Sequence, residues 1–306
     1  MKKAIVTGAS GLIGHSVINE LLANGVKVMA IGRKDKINSE LYRVNTQGDL
    51  TYCQLDLKDI DLLPEKLEKI SWSTGESCVF YHFAWSGSIT LTDGTIDDQL
   101  KNVLYSANAV KIAKKIGCIK FINSGSLEET FAEKYLDNDW KNSEYHSNQG
   151  SYSISKLSSR DMCLMVAYLE KIDYVHTRFS AVYNSELNLK GYICSSLRLI
   201  LNGEKVNPPQ NNQLFDLINI EDLSKAYYSI GLKGQNKSDY FIGTGKPSTL
   251  VNYFTRLENS INGLNIKAKE EKNDSNLILS YKDFDVSNLK KDTGFEISNK
   301  FLNINI

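Results

Sequence analysis

"TGASGLIG", Thr7 to Gly14, decides the fold. It follows the apolar run "KAIVT" and precedes "LIGHSVINELLAN", in which Val17, Ile18, Leu21 and Leu22 make one helical stripe. Gly8, Gly11 and Gly14 therefore have the spacing G-x-x-G-x-x-G between a strand and a helix. Glycine is needed there because the backbone must turn sharply, approach a pyrophosphate without side-chain interference and let the helix pack close to the sheet. The helix N-terminus then offers unpaired N–H groups and the positive end of its dipole. A dinucleotide cradle at Gly8, Ser10, Gly11, Leu12, Ile13 and Gly14 is the reading preferred over a plain turn.

Outward from the cradle, "NG" at Asn24 and Gly25 stops the helix, and "VKVMAI" reads as the second strand. "SCVFYHF", the helical "NVLYSANAVKIAKKIG", "IKFINS", a long helix over about 151–170 and the strand-like "DYVHTRF" continue the alternation. That alternation predicts an α/β fold, a Rossmann-like doubly wound parallel sheet with a smaller C-terminal substrate-binding region. The dinucleotide-binding part is expected over 1–180, with returning segments about 214–245, and the substrate region mainly over 181–306. Within the latter, "SSLRLILNGE" reads as a helix, "NPPQNNQ" as a loop, "FDLINI" as a strand and "EDLSKAYYSIG" as a helix; the stretch from Thr249 onward reads as helical and polar.

Composition narrows the function classes. The chain has 306 residues and equal numbers of basic and acidic side chains, 36 each, so nothing marks a nucleic-acid or acidic-lipid surface. Cys53, Cys78, Cys118, Cys163 and Cys194 form no C-x-x-C, which predicts reduced, buried thiols in a cytoplasmic, soluble protein. No apolar run approaches the ~18 residues of a membrane span. His15, His82, His146 and His176 have no metal-ligand spacing, and no metal is expected. His82 reads as a packed strand-end residue rather than a proton carrier.

The tip of the second strand reads Gly32, Arg33, Lys34, with no carboxylate to accept from a ribose 2′-hydroxyl. A guanidinium there suits a 2′-phosphate through paired charge-assisted bonds, so NADP(H) is expected over NAD(H). The alternative is a solvated Arg33 with Asp35 serving the ribose and NAD(H) as cofactor.

"YSISK", Tyr152 to Lys156, places a phenol and an ammonium one helical turn apart. With the cradle, "LDL", "YHFAW", Asn102, "NSGS", "TRFSAVYN", "FDLINIEDL" and "DFDVSNLKKDTGF" in order, the chain resembles the extended short-chain dehydrogenase/reductase superfamily. Within it, the resemblance is to the NAD-dependent epimerase/dehydratase branch that acts on nucleotide sugars. It implies a catalytic Ser126, Tyr152 and Lys156, Asp56 and Leu57 near the adenine, and Phe83, Ala84, Trp85, Asn102, Ser124 and Phe179 along the cofactor. Ser86, Glu128, Asn184 and Arg198 are the implied substrate contacts. A phenol moves protons near neutral pH if its pKa of ~10 is lowered, which the Lys156 charge is expected to do.

The resemblance leaves the reaction open. Dehydratases of the family carry Thr-Asp-Glu where this chain has Ser126, Leu127, Glu128, and leucine cannot protonate a departing hydroxide. The remaining readings are an NADPH-dependent 4-ketoreductase acting on a nucleotide-linked deoxysugar, which Arg33 favours, and an NAD-dependent 4-epimerase. A noncatalytic NADP-binding sensor or scaffold is the reading from another class. The motifs are similar to those of reductases that make abequose- and fucose-type deoxyhexoses. Phe215 stands where many members have an arginine for the diphosphate, with Arg178, Arg198 or Lys205 as replacements, and Glu128 or Glu129 is a candidate contact to sugar hydroxyls. Family dimers imply a homodimer built on the helices of Asn102 and Tyr152, with Leu157, Met162, Met165 and Val166 as its apolar stripe.

Overall fold

The computed structural model describes residues 1–35, 49–87, 95–137, 150–207, 213–262, 278–298 and 301. The chain opens with β1 (Lys3–Thr7), α1 (Leu12–Ala23), β2 (Lys27–Gly32), β3 (Leu50–Gln54), α2 (Leu63–Lys69) and β4 (Cys78–His82). It continues with α3 (Ile96–Lys115), β5 (Lys120–Ser124), α4 (Glu128–Leu136), α5 (Gly150–Glu170) and β6 (Asp173–Arg178). Then follow β7 (Ala181–Tyr183), α6 (Tyr192–Leu201), β8 (Leu214–Phe215), β9 (Leu217–Asn219), α7 (Ile220–Lys233), β10 (Asp239–Phe241), β11 (Ser248–Thr249), α8 (Leu250–Ile261) and α9 (Ser287–Thr293).

Seven strands form one sheet in the order β10-β6-β5-β4-β1-β2-β3. Every pairing in it is parallel, with Thr7 level with Ile31 on one side and His82 on the other. The expected doubly wound α/β sheet is present, and its strand order reverses between β1 and β4. A crevice opens at the carboxyl ends of such a reversal, which puts a ligand site beside the glycine motif.

Strand side chains alternate between two buried faces. Ala4, Val6, Val28 and Ala30 face α1 and α7, against Val17, Ile18, Leu21, Leu22, Leu223 and Tyr227. Ile5, Met29, Phe80 and Phe121 face the side of α3 and α5, against Val110, Ala113, Cys163 and Val166. Covering both faces accounts for the nearly continuous apolar runs in the sequence. A third cluster, with Tyr183, Leu197, Leu217, Phe254 and Leu257, joins α6 and α8 to β7 and β9.

Within 214–245, β10 pairs with β6 at the sheet edge and α7 packs on one sheet face. "FDLINI", expected as one strand, is instead broken into β8 and β9, which belong to different small sheets. The break is at Asp216, whose buried carboxylate accepts from Thr244 N, Thr244 Oγ1 and Gly245 N. Those bonds draw the backbone out of strand register. The loop expected at "NPPQNNQ" falls mostly on 208–212, outside the described residues, as does His146. The five thiols are free and buried. Among the described residues no helix is long and apolar enough to cross a membrane.

Candidate active site

The cradle is built by close approach. Gly8 has φ +71°, and a Cβ on it would stand 2.8 Å from Ala84 N. A Cβ on Gly14 would overlap Gly8 O, so α1 can meet the turn only through glycine. Gly11 N–H donates to Gly8 O at 2.9 Å, and Gly11 is the N-cap of α1, which has no side-chain cap and no acid in its first turn. Its leading N–H groups thus face the crevice, the donor set a pyrophosphate requires.

The crevice is a cleft of about 390 Å³ that brings together Gly8, Ser10, Gly11, Arg33, Asp56, Leu57, Phe83, Ala84, Trp85 and Asn102, read from the sequence as cofactor contacts, and Ser86, read as a substrate contact. Leu12, Ile13, Gly14, Ser124 and Phe179 are not among its walls: Leu12 is exposed, Gly14 packs on the turn, and Phe179 joins the core under β6. Asn102 uses both ends of its amide on the Ser86 backbone, at 2.9 Å each, so it clamps the loop after β4. Lys58, Asp98, Lys101 and Tyr105 also line the cleft and were missed by the motif reading. Asp98, Lys101, Asn102 and Tyr105 have the i, i+3, i+4, i+7 spacing of one helix face, which was the available signal.

Arg33 and Lys58 both line this cleft, as does Asp56. Asp56 is turned to accept Lys58 N–H at 3.1 Å, and Asp35 accepts from Gln54 Nε2 at 3.2 Å.

Behind Trp85 lie Ser126, Tyr152 and Lys156. Helix α5 carries the last two on one face, and the turn after β5 delivers Ser126. Tyr152 is hydrogen-bonded to Ser126, whose Oγ accepts Glu128 N–H at 3.2 Å. Lys156 Nζ donates to Ser124 O at 2.8 Å, and the Ser124 hydroxyl accepts from Tyr227 at 3.2 Å. Burial pulls the Lys156 ammonium down to about 8, against the Glu129 charge, which raises it. The expectation of a lowered Tyr152 pKa is corrected: burial pushes the phenol up, the Ser126 bond offsets part of this, and Glu129 and Glu128 add to the rise. Burial, with the two carboxylates, outweighs the Ser126 bond, so the phenol is held in its protonated form.

Other expected residues are committed elsewhere. Glu129 is wholly buried against His176, so it does not face a sugar. Glu128 accepts from Ser153 Oγ at 3.1 Å. Arg178 bridges Asp239 and Thr130, which removes it from diphosphate binding, while Arg198 donates to Leu187 O and Lys205 is exposed. Asn184 Nδ2 donates to Glu186 and Asn188, yet Asn184 Oδ1 and Ser180 Oγ are buried with no partner among the described residues. His82 is packed, as expected, between Thr7 Oγ1 and Ser106 Oγ at 3.0 Å each. Among the described residues no cluster of His, Cys, Asp and Glu could hold a metal ion.

Residues 4–243 match the family model described as NAD dependent epimerase/dehydratase family. The chain is 26% identical to a CDP-abequose synthase of Salmonella typhimurium, over 84% of this chain and 80% of that one. It is 25% identical to a putative UDP-glucose 4-epimerase of Methanocaldococcus jannaschii, over 84% and 82%. In structure it is similar to the UDP-glucose 4-epimerase of Thermotoga maritima, with TM-score 0.70 and 19% identity over 98% of this chain and 95% of that one.

Proposed function

This chain belongs to the NAD-dependent epimerase/dehydratase family, and from that premise we propose that it reduces a 4-keto nucleotide-linked deoxysugar with NADPH. The observation that carries this reading is that Arg33 and Lys58 both line the cleft beside the glycine turn, while Asp35 does not line it and Asp56 is turned to its own backbone at Lys58. Two cations there suit a 2′-phosphate rather than a bare ribose.

Gly8, Ser10, Gly11 and Arg33, which line the cleft, would hold a nicotinamide nucleotide, which when bound would supply hydride to the carbonyl carbon. Tyr152 Oη gives its proton to the carbonyl oxygen, so the C=O becomes CH–OH, and Ser126 Oγ holds that oxygen beside the phenol. Lys156 supplies a positive charge next to the phenolate that is left. Ser180 Oγ and Asn184 Oδ1, buried polar atoms with no partner among the described residues, are the proposed contacts to sugar hydroxyls. The CDP-abequose synthase relative supports the choice of a nucleotide deoxysugar.

A second reading, an NAD-dependent nucleotide-sugar 4-epimerase, is favoured by the epimerase relatives. The two differ in cofactor traffic. Mass spectrometry of the cofactor released from fresh protein, followed by NADPH oxidation assays with a mixture of 4-keto nucleotide sugars, separates them. Weakly held NADP(H) consumed in proportion to substrate supports the reductase; retained NAD without net consumption overturns it. Tight NADPH binding without turnover on any substrate returns the sensor reading.

A homodimer is also proposed. Helices α3 and α5 lie side by side and expose Ile96, Leu100, Leu104, Met162 and Met165. Val166, expected in that stripe, is instead buried in the core beneath α5.

A further inference from the structure

Behind the catalytic face lies a charged group that an apolar core gives no reason to bury. Glu129 on α4 is 0% exposed and His176 on β6 is 2% exposed, and Glu129 Oε2 lies 2.9 Å from His176 Nε2. Glu129 Oε1 accepts Ser126 N–H at 2.8 Å. A buried ion of this kind costs several kcal/mol unless its surroundings compensate. The surroundings are built for it: a Cβ on Gly125 would overlap both Glu129 Oε1 and His176 Nε2, so the glycine of "NSGS" admits the pair.

We propose that Glu129 and His176 form a positioning pair that fixes Ser126 through its backbone N–H and places a fixed negative charge behind Tyr152 and Lys156. The inference rests on the assignment of Ser126, Tyr152 and Lys156 to the reaction proposed above.

The groups facing the pair agree with this role. Asn123 Nδ2, a donor, stands 3.4 Å from His176 Nδ1 and 3.1 Å from Tyr174 Oη, which donates to Arg160 O at 3.2 Å. His176 Nδ1 therefore faces a donor, and Nε2–H donates to Glu129. From α5, Tyr152 and Lys156 feel the Glu129 charge; from β10, Asp239 acts on Tyr174. Burial alone would push the Glu129 carboxyl up, but His176, Ser126 N–H and Lys156 together hold it below the usual carboxylate range. Glu128, its neighbour on α4, adds a second negative charge beside Tyr152.

Removing the Glu129 charge lowers the pKa of both Lys156 and Tyr152. Reduction needs the ammonium and the phenol, so the alkaline limb of kcat moves toward lower pH. Glu129→Gln keeps the shape and the acceptor for Ser126; its limb is expected about one pH unit lower, with KM within about twofold. The double variant Glu129→Leu with His176→Leu removes both polar groups and leaves no buried charge, which protects folding. It is expected to shift the limb equally and to lose about tenfold in kcat because Ser126 is released. Wild-type kcat and limb in the double variant would show that the pair only packs.

A readout without substrate separates this idea from the reaction itself. Lys156 Nζ lies 3.9 Å from the Trp85 ring centroid, so Trp85 fluorescence reports its titration when each protein is compared with its Trp85→Phe counterpart. The wild-type midpoint is expected near about 8 and that of Glu129→Gln about one unit lower. An unmoved midpoint overturns the positioning pair. Absence of turnover in the wild type with a shifted midpoint in the variant counts against the proposed reaction alone.

Discussion

The Lys156 ammonium lies 3.9 Å from the centroid of the Trp85 ring, and Tyr152 meets the same indole edge-on at 6.0 Å. One aromatic side chain thus lines the glycine-flanked cleft and also contacts Tyr152 and Lys156, anchored by its Nε1–H donating to Gln99 Oε1 at 2.8 Å. The indole face stabilises the ammonium, while burial opposes it.

Because Lys156 is pulled down to about 8, it loses its charge within an accessible pH range. The charged form is present below that value and is lost as pH rises through it, so kcat should fall above about pH 8 with a slope of one proton. Tyr152, pushed upward by burial, stays protonated there. Lys156→Arg, always charged, should lower kcat but abolish this limb between pH 7 and 10. A limb that persists in Lys156→Arg assigns it to another group.

Arg33→Ala should raise the KM for NADPH about 10- to 100-fold, the value of one or two charge-assisted bonds, and leave that for NADH within about twofold. Lys58→Ala should act in the same sense and more weakly. Steady-state kinetics with both cofactors decide; equal losses for NADPH and NADH would remove Arg33 from the 2′-phosphate.

Gly14→Ala would press a methyl group onto Gly8 O, which is backbone and cannot rotate away. The turn must shift, at a cost of about 1–3 kcal/mol in stability. Cofactor affinity should drop at least about tenfold with it. Titration of bound NADPH alongside a melting curve measures both, and unaltered affinity would mean that the helix need not touch the turn.

Burial, with the Lys156 charge adding to it, pulls the His82 imidazole down to about 3. The native state keeps it neutral while the unfolded chain protonates it near ~6.5, so stability is complete above that value and declines as pH falls toward the folded pKa. Urea unfolding between pH 6 and 5 should show a loss of up to about 1.4 kcal/mol per pH unit from this residue. His82→Gln, which cannot titrate, should flatten the profile; an unchanged slope would place the proton uptake elsewhere.

If the apolar stripe on α3 and α5 is a dimer surface, Leu104→Glu with Met165→Glu should yield monomers at micromolar concentration where the wild type sediments as a dimer. Both side chains are exposed, so the melting temperature of the monomer itself should change little. A wild type that is monomeric at that concentration refutes the dimer.

The sequence by itself determined the sheet and the cradle. Gly8, Gly11 and Gly14, the alternating apolar runs and the Tyr152/Lys156 spacing are local patterns, and local patterns are set by backbone geometry that a few neighbouring residues impose. The spacing of Asp98, Lys101, Asn102 and Tyr105 likewise marked one helix face, though not that this face lines the cleft. Tertiary structure alone decided what the polar residues do. Glu129 and His176 are 47 positions apart, and they meet only because the fold brings the first turn of α4 beside β6. The same holds for Trp85 over Lys156 and for Arg178 against Asp239. Pairing between distant charges, and the desolvation that sets their proton affinity, depend on which surfaces the fold brings together, and no spacing along the chain encodes that.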